Sequence, residues 1–320
     1  MDLPTLSQLE TAAELVHRVV PPTPQYCWPL LAERIGTALW VKHENHTQTG
    51  AFKLRGGLVY LDDLKRAQPG IAGVISATTG NHGQSIAHAA TRLGLTAVIV
   101  VPHGNSPEKN RAMRAFGAEL IEHGHDFQAA YEYAIAMAER ENLHPVRSFH
   151  PLLVRGVASY GIELFRAVPN LDVVYVPIGL GSGICGVIAA REALGLKTEI
   201  VGVVAENAPT YALSIAAGKP VATNSANTFA GGLAVRTPDA DALGIICRYA
   251  ARIVTVSEGE MRAAIRILFS DTHNVAEGAG AAPFAAALQE RDKLRGKTVA
   301  VVQSGGNIDR ALFAEILAEE

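Results

Sequence analysis

The sequence predicts an α/β protein of two domains built on open parallel sheets. Three observations carry that expectation. Strand-sized apolar runs alternate with longer segments of helical period through the 320 residues, which argues for parallel strands joined by crossover helices. Four of these runs pass directly into loops rich in Gly, Ser, Thr and Asn that open helices. Open parallel sheets bind ligands at such loops, beyond the carboxyl ends of their strands. The length allows about two domains, yet no linker, repeat or low-complexity segment divides the chain, so a second domain is inserted into the first.

The first expected strand, ALWVKHE (38–44), leads into NHTQTGAFKLRGG, where Thr49 and Gly50 introduce a helix carrying Lys53 near its first turn. GVISAT (73–78) is followed by TGNHG (79–83), which opens a helix over 82–93 that Gly94 stops. AVIVV (97–101) precedes a helix over 107–115, started by Ser106, Pro107 and Glu108. Helical period continues over 127–141 and 153–166. DVVYVPI (172–178) runs into GLGSGICG (179–186) and a helix over 184–194. EIVGVVA (199–205) and RIVTV (252–256) follow, with a helix over 258–269. TVAVVQ (298–303) ends in SGGN (304–307) before a last helix over 308–318.

Composition narrows the function classes. With 28 Lys+Arg against 31 Asp+Glu the formal net charge is −3, which excludes a strongly basic nucleic-acid binder. Apolar residues at 48% and charged residues at 18% give an ordinary globular balance with a sizeable core. The N-terminal segment carries Asp2 and Glu10 and no basic lead into an apolar core, so no secretory signal is read and a cytoplasmic protein is expected. The most apolar runs are strand-sized, far below the roughly 20 residues of a membrane helix. Cys27, Cys185 and Cys247 are scattered, without zinc or redox spacing, and are expected to be buried free thiols.

The glycine loop has more than one interpretation. Gly179, Gly181, Gly183 and Gly186 let the backbone approach a phosphate, and the helix behind them offers unpaired N–H groups and the positive end of its dipole. Gly181, Gly183 and Gly186 also spell a dinucleotide GxGxxG, with Glu206 after the next strand at about the required distance. A tight structural turn is the third interpretation. Lys53, flanked by Ala51, Phe52 and Leu54, sits in apolar company that disfavours its charged form and makes the amine nucleophilic, as Schiff-base chemistry needs. Its alternative is a solvated lysine snorkelling beside Arg55. A nicotinamide oxidoreductase accounts for the glycines and Glu206 but leaves Lys53, TGNHG and SGGN without work.

Taken together, the four loops resemble those of the threonine dehydratase and serine racemase group of pyridoxal-phosphate enzymes, the tryptophan-synthase-β-like fold type II. TGAFKLRGG is similar to that group's Ser-Phe-Lys-x-Arg-Gly motif, TTGNHGQ to its Ser-Ser-Gly-Asn-His-Gly motif, GLGSG to its phosphate loop and QSGGNID to its C-terminal Ser-Gly-Gly-Asn motif. The resemblance runs in order over almost the whole chain. It implies pyridoxal 5'-phosphate in a cleft between a large cofactor-binding domain (1–65 and 149–320) and a small mobile domain (66–148) that closes over the substrate.

The resemblance also implies roles. Lys53 holds the cofactor as a Schiff base and then removes the substrate α-proton; Phe52 packs on the pyridine ring and Asn81 bonds its phenolic oxygen. Gly179, Leu180, Gly181, Ser182 and Gly183 bind the phosphate, and Glu277, in VAEGAGAA, either supports the ring or caps a helix. Thr78, Thr79, Gly80, Asn81 and His82 receive the substrate carboxylate. Ser304 faces the pyridine nitrogen, and a serine there cannot hold that nitrogen protonated as an aspartate can, which suits β-elimination. The implied reaction turns a β-hydroxy-α-amino acid such as L-threonine or L-serine into a 2-oxo acid and ammonia. Lyases for 3-hydroxyaspartate, phenylserine or a hydroxyectoine-derived amino acid stay open, as does a racemase. A homodimer is implied too, with a small-molecule substrate and neither nucleic acid nor membrane as partner.

Departures from the group's pattern matter. Leu180 and Ser182 interrupt what is often a run of four glycines, and Ser182 is expected to add a hydroxyl bond to phosphate. Thr79 stands where the racemase has its second catalytic serine, and its bulkier hydroxyl argues against racemisation. Glu206 matches a divalent-cation ligand, but Ala212 replaces the second acid, so no metal activation is expected. The short run after SGGN leaves no room for a regulatory domain, and feedback by isoleucine is not expected. His150, Arg155 and Phe229 are candidate selectivity residues, Arg155 either for a second carboxylate or as a helix-surface arginine. His123 and His125 are expected in a solvated turn, His88 as a packed or surface residue, and Trp28 and Trp40 as core or interface aromatics.

Overall fold

The computed structural model describes residues 1–319. Its strands are β1 (Gln25–Cys27), β2 (Leu39–His43), β3 (Gly73–Ala77), β4 (Thr96–Val101), β5 (Ala118–Glu122), β6 (His144–Pro145), β7 (Val173–Pro177), β8 (Glu199–Ala205), β9 (Arg252–Val256) and β10 (Val299–Gln303). The helices are α1 (Leu6–His17), α2 (Pro29–Ile35), α3 (Lys53–Ala67), α4 (Asn81–Arg92), α5 (Pro107–Ala115), α6 (Phe127–Arg140), α7 (Pro151–Ala167), α8 (Ser182–Ala193), α9 (Thr210–Ala217), α10 (Ala240–Tyr249), α11 (Glu258–Thr272), α12 (Gly278–Gln289) and α13 (Arg310–Leu317).

Two sheets form. One has six strands in the order β1-β2-β10-β7-β8-β9, parallel except for β1, and the other four parallel strands in the order β5-β4-β3-β6. Residues of β3, β7 and β10 are buried without exception. Continuous apolar runs are what a parallel strand needs when helices cover both faces. On the six-stranded sheet one apolar cluster takes α2, α11 and α12, and the other takes α7, α8 and α10. On the four-stranded sheet α3 and α4 cover one face and α6 the other. Leu54, Leu58, Leu61 and Leu64 of α3 and Val16 of α1 join the four-stranded sheet's cluster, so the helix that starts with Lys53 packs its apolar side there.

All seven expected strands form, and the expected helices form within a few residues of their limits. The three unexpected strands lie at sheet edges, where burial leaves little pattern, and β1 and β6 are also only three and two residues long. The cysteine expectation is corrected. Cys185 is buried, but Cys27 and Cys247 are exposed, because one lies on the edge strand β1 and the other on the outer side of α10.

Candidate active site

The loop that carries Lys53 is fastened at both ends by buried charge. Arg55, fully buried in the first turn of α3, donates from Nε and Nη2 to Glu44 at 2.7 and 3.0 Å and from Nη1 and Nη2 to Glu163 of α7 at 2.5 and 3.0 Å. Lys42 Nζ donates to Glu163 Oε2 at 2.6 Å and to the Thr23 carbonyl at 2.7 Å, while Thr23 Oγ1 donates to Glu44 at 2.6 Å. Two cations and two carboxylates thus cancel and satisfy one another. Burial works against the Glu163 anion, yet Arg55 and Lys42 hold its carboxyl below the usual range; burial lowers the Lys42 ammonium. Arg55 is a buried anchor, not the surface neighbour that a snorkelling Lys53 would have.

Lys53 itself is recessed. Its Nζ lies 5.1 Å from the Phe52 ring centroid and donates to Ser182 Oγ at 3.0 Å. Burial lowers its ammonium from the ordinary 10.5 to about 8, as Schiff-base chemistry requires. Phe52 meets Tyr160 edge-on with ring centroids 6.0 Å apart, and its N–H donates to the Ser304 carbonyl at 3.1 Å. Ala51 bridges Gly305, and the Gly306 N–H donates to the Gly50 carbonyl at 2.9 Å, so the loops after β2 and β10 lie side by side.

The loop after β3 joins them through an amide chain. Asn307 Nδ2 donates to the Thr49 carbonyl and to Asn81 Oδ1, each at 2.8 Å, and Asn81 Nδ2 donates to Glu277 Oε1 at 2.7 Å. Glu277 stands at the N-cap of α12 but its side chain caps nothing. Burial raises its carboxyl pKa, against the pull of Lys109 and the Asn81 bond. Thr78 is buried and Thr79 exposed, and the Gly80 N–H donates to Thr78 Oγ1 at 3.2 Å. His82 is buried, with Nε2 unpartnered, and burial and then the Lys53 charge push its pKa down to about 3. It is a neutral ring at working pH.

The glycine loop after β7 completes the group. Gly181 has φ +103°, and a Cβ there would stand 2.6 Å from that of Ala242, so only glycine fits. Tyr211 Oη donates to the Leu180 carbonyl at 3.0 Å and Tyr160 Oη to the Gly183 carbonyl at 3.1 Å, fixing the loop from both sides. Gly183 lies against the Phe52 ring, a Cβ there coming 3.4 Å from its Cζ.

Helix capping marks the site independently. Of the helices nine residues or longer, α1, α5, α6, α7, α10 and α11 have a side-chain cap, whereas α3, α4, α8 and α12 have none. Three of the uncapped four, α3, α4 and α8, begin at the loops after β2, β3 and β7, and the fourth, α12, begins at Glu277, which Asn81 meets. Their first-turn N–H groups have no intrahelical partner and favour anions. The residues fit pyridoxal phosphate: α8 offers its N-terminus to a phosphate beside a recessed amine, and α4, whose His82 feels the Lys53 charge, offers a second anion site near it.

Other expected residues fall elsewhere. His150 caps α7 through Leu152 and meets Tyr60 edge-on at 4.9 Å beside His144. Phe229 packs against Gly278 under Arg262, and Arg155 is half-buried on α7. Glu206 is exposed, and among the described residues no group of three or more His, Cys, Asp or Glu is placed to hold a metal. His123 stacks on Tyr133 at 4.0 Å, and no described helix is long and apolar enough to cross a membrane. Sequence reasoning missed Asn307, Lys109, Tyr160 and Tyr211. Asn307 had a signal, since it ends the SGGN motif; the tyrosines look like core residues.

The family model described as "Pyridoxal-phosphate dependent enzyme" matches residues 16–305. The L-threonine ammonia-lyase of Thermotoga maritima is 34% identical over 317 residues, covering 98% of this chain and 78% of that enzyme. The solved T.th. threonine deaminase superposes with a TM-score of 0.89 at 32% identity, covering 96% of this chain and 99% of that one. The processed form of threonine deaminase isoform 2 from Solanum lycopersicum superposes with a TM-score of 0.92 at 28% identity, covering 100% and 98%. With its fold, its recessed lysine and its two open helix N-termini in agreement, the chain belongs to the family of pyridoxal-phosphate-dependent enzymes.

Proposed function

We propose that this protein is an ammonia-lyase that removes water across the α- and β-carbons of a β-hydroxy-α-amino acid, L-threonine or L-serine, and releases a 2-oxo acid and ammonia. The observation that carries this is the recessed Lys53 amine, whose charge burial disfavours and which is set between the open N-termini of α4 and α8. When bound, pyridoxal phosphate supplies an aldehyde that links to amines and a ring that takes up the negative charge left by the α-proton. Residues 179–183 would hold its phosphate, Phe52 would pack on the ring, Asn81 and Glu277 would meet its phenolic side, and Ser304 would face the nitrogen. Thr78–His82 bind the substrate carboxylate at the start of α4. Lys53 Nζ takes the α-proton, and the β-hydroxyl takes up one proton as its C–O bond breaks and leaves as water, the proton gained by Lys53 making up the balance. Addition of water and loss of ammonia then give 2-oxobutanoate from L-threonine.

Residues 66–148 act as a small mobile unit that closes on the rest of the chain and excludes water. The bonds Asn81 makes to Glu277 and Asn307, with those of Ser106 to Asp309 and of Glu108 to the Arg310 N–H, are contacts that such closure would make. The protein works as a cytoplasmic homodimer on a small-molecule substrate. The test is the visible spectrum of the purified protein with pyridoxal phosphate, during addition of L-threonine and with 2-oxo acid assayed alongside. A visible band that shifts as 2-oxobutanoate accumulates, and that Lys53→Ala abolishes, is the expected result. A wild-type protein with no band overturns the proposal. Turnover of 3-hydroxyaspartate or phenylserine in place of threonine keeps the reaction and reassigns the substrate.

A further inference from the structure

We propose that Ser182 is a positioning residue for Lys53: its hydroxyl oxygen accepts an N–H of the free amine and so aims the nitrogen lone pair at the substrate α-carbon. This deepens the lyase proposal and rests on it. Ser182 Oγ, 3.0 Å from Lys53 Nζ, is the one protein acceptor bonded to that amine among the described residues. Ser182 is 1% exposed and occupies the first position of α8, held there by the left-handed Gly181 before it and by the Tyr160 bond to Gly183 after it. The oxygen is therefore fixed, while the lysine arm, with its many rotamers, is the part that needs fixing.

The chemistry follows from donor and acceptor roles. A neutral amine that enters a hydrogen bond as donor keeps its lone pair free to take a proton. The Phe52 ring, 5.1 Å from Nζ, borders the amine with apolar surface and offers it no acceptor, so on the protein side the serine alone sets its direction. The phosphate needs only the first-turn N–H groups of α8, which no side chain caps. The backbone of residues 182–184 and the Ser182 hydroxyl thus serve different partners. In the group this chain resembles a glycine often stands at this place in the loop, and a glycine leaves the amine without this acceptor.

The experiment uses full-length wild-type, Ser182→Ala and Ser182→Thr proteins. After cofactor removal with hydroxylamine, acylation of Lys53 by an amine-directed reagent is followed against pH by peptide mass spectrometry. Loss of an acceptor for the buried ammonium moves the Ser182→Ala labelling midpoint about half a pH unit lower, while Ser182→Thr keeps the wild-type midpoint. After reconstitution, Ser182→Ala loses roughly fivefold to tenfold in kcat, with a larger isotope effect from α-deuterated threonine and cofactor affinity within about threefold of wild type. Identical labelling profiles for wild type and Ser182→Ala overturn the proposal. So does about a tenfold loss of cofactor affinity with an unchanged isotope effect, which assigns the hydroxyl to phosphate alone. If instead the wild type forms no visible band, the lyase proposal fails and this one with it; a wild-type band beside unchanged labelling sinks this one alone.

Discussion

Asn81 Nδ2 donates to Glu277 Oε1 at 2.7 Å, joining the first residue of a helix on the four-stranded sheet to the N-cap of a helix on the six-stranded one. The bond holds a carboxyl that burial pushes above its ordinary 4.5. A carboxyl raised in the folded state costs nothing at low pH. It destabilises the fold as pH climbs from its unfolded value through the folded one. Glu277→Gln keeps an acceptor for Asn81 and removes that cost, so denaturant midpoints should fall less steeply with rising pH than those of the wild type. Glu277→Ala leaves the Asn81 amide short of a partner and is expected to lose about 1–3 kcal/mol at neutral pH in the same assay.

The charge cluster around Arg55 predicts a large effect from a residue that touches no reacting atom. Arg55→Met leaves the fully buried Glu44 with only the Thr23 hydroxyl and strips Glu163 of two bonds. Uncompensated buried charge costs about 3–5 kcal/mol, to be read as a lower urea midpoint. Arg66→Ala is the contrast. That arginine pairs with Asp62 one turn away, but its side chain is 70% exposed, and its loss should cost under about 0.5 kcal/mol.

Two buried histidines set the acid limit of stability. Burial lowers His43 to about 4 and, with the nearby Lys53 charge, His82 to about 3, both from 6.5. Their folded-state pKa values are depressed, so nothing is lost above about pH 6.5. As pH falls below that, the unfolded chain takes up protons that the fold refuses, and stability drops until the folded values are reached. Each accounts for about 2 kcal/mol between pH 6.5 and pH 5. His43→Gln should flatten part of that slope in urea titrations; a slope equal to the wild type's would remove His43 from the account.

What the sequence makes legible follows burial. The strands of both sheet centres are continuous apolar runs and stand out, whereas β5, AELIE, alternates weakly at an edge and β6 is two residues long. Helix α12, GAGAAPFAAALQ, hides for the opposite reason: nearly all of it is buried, so it has no polar side to set a period. Among site residues, Lys53 and the loop glycines announce themselves because their chemistry is rare in that company. Glu163, which bonds Arg55 from 108 positions away, reads as one more helical acid. Tyr160 and Tyr211 read as core, and only the fold brings their hydroxyls to loop carbonyls.

Gly181 ties the phosphate turn to the residue that meets Lys53. Its φ of +103° lies where a side chain is strained, and an added Cβ would press on Ala242 at 2.6 Å with the Tyr211 hydroxyl at 3.3 Å. None of these neighbours is the free end of a flexible chain. Gly181→Ala must therefore turn the loop and tilt the first N–H groups of α8 away from the phosphate, at a cost of about 1–2 kcal/mol in backbone strain alone. The expected outcome is at least a tenfold rise in the dissociation constant for pyridoxal phosphate, measured by titration of the visible band, with a lower melting temperature. At saturating cofactor, kcat should still fall short of the wild type by roughly fivefold to tenfold, because the turn that carries Gly181 also holds the Ser182 hydroxyl 3.0 Å from Lys53. A variant that binds cofactor as tightly as the wild type would mean that the phosphate is not held at this turn.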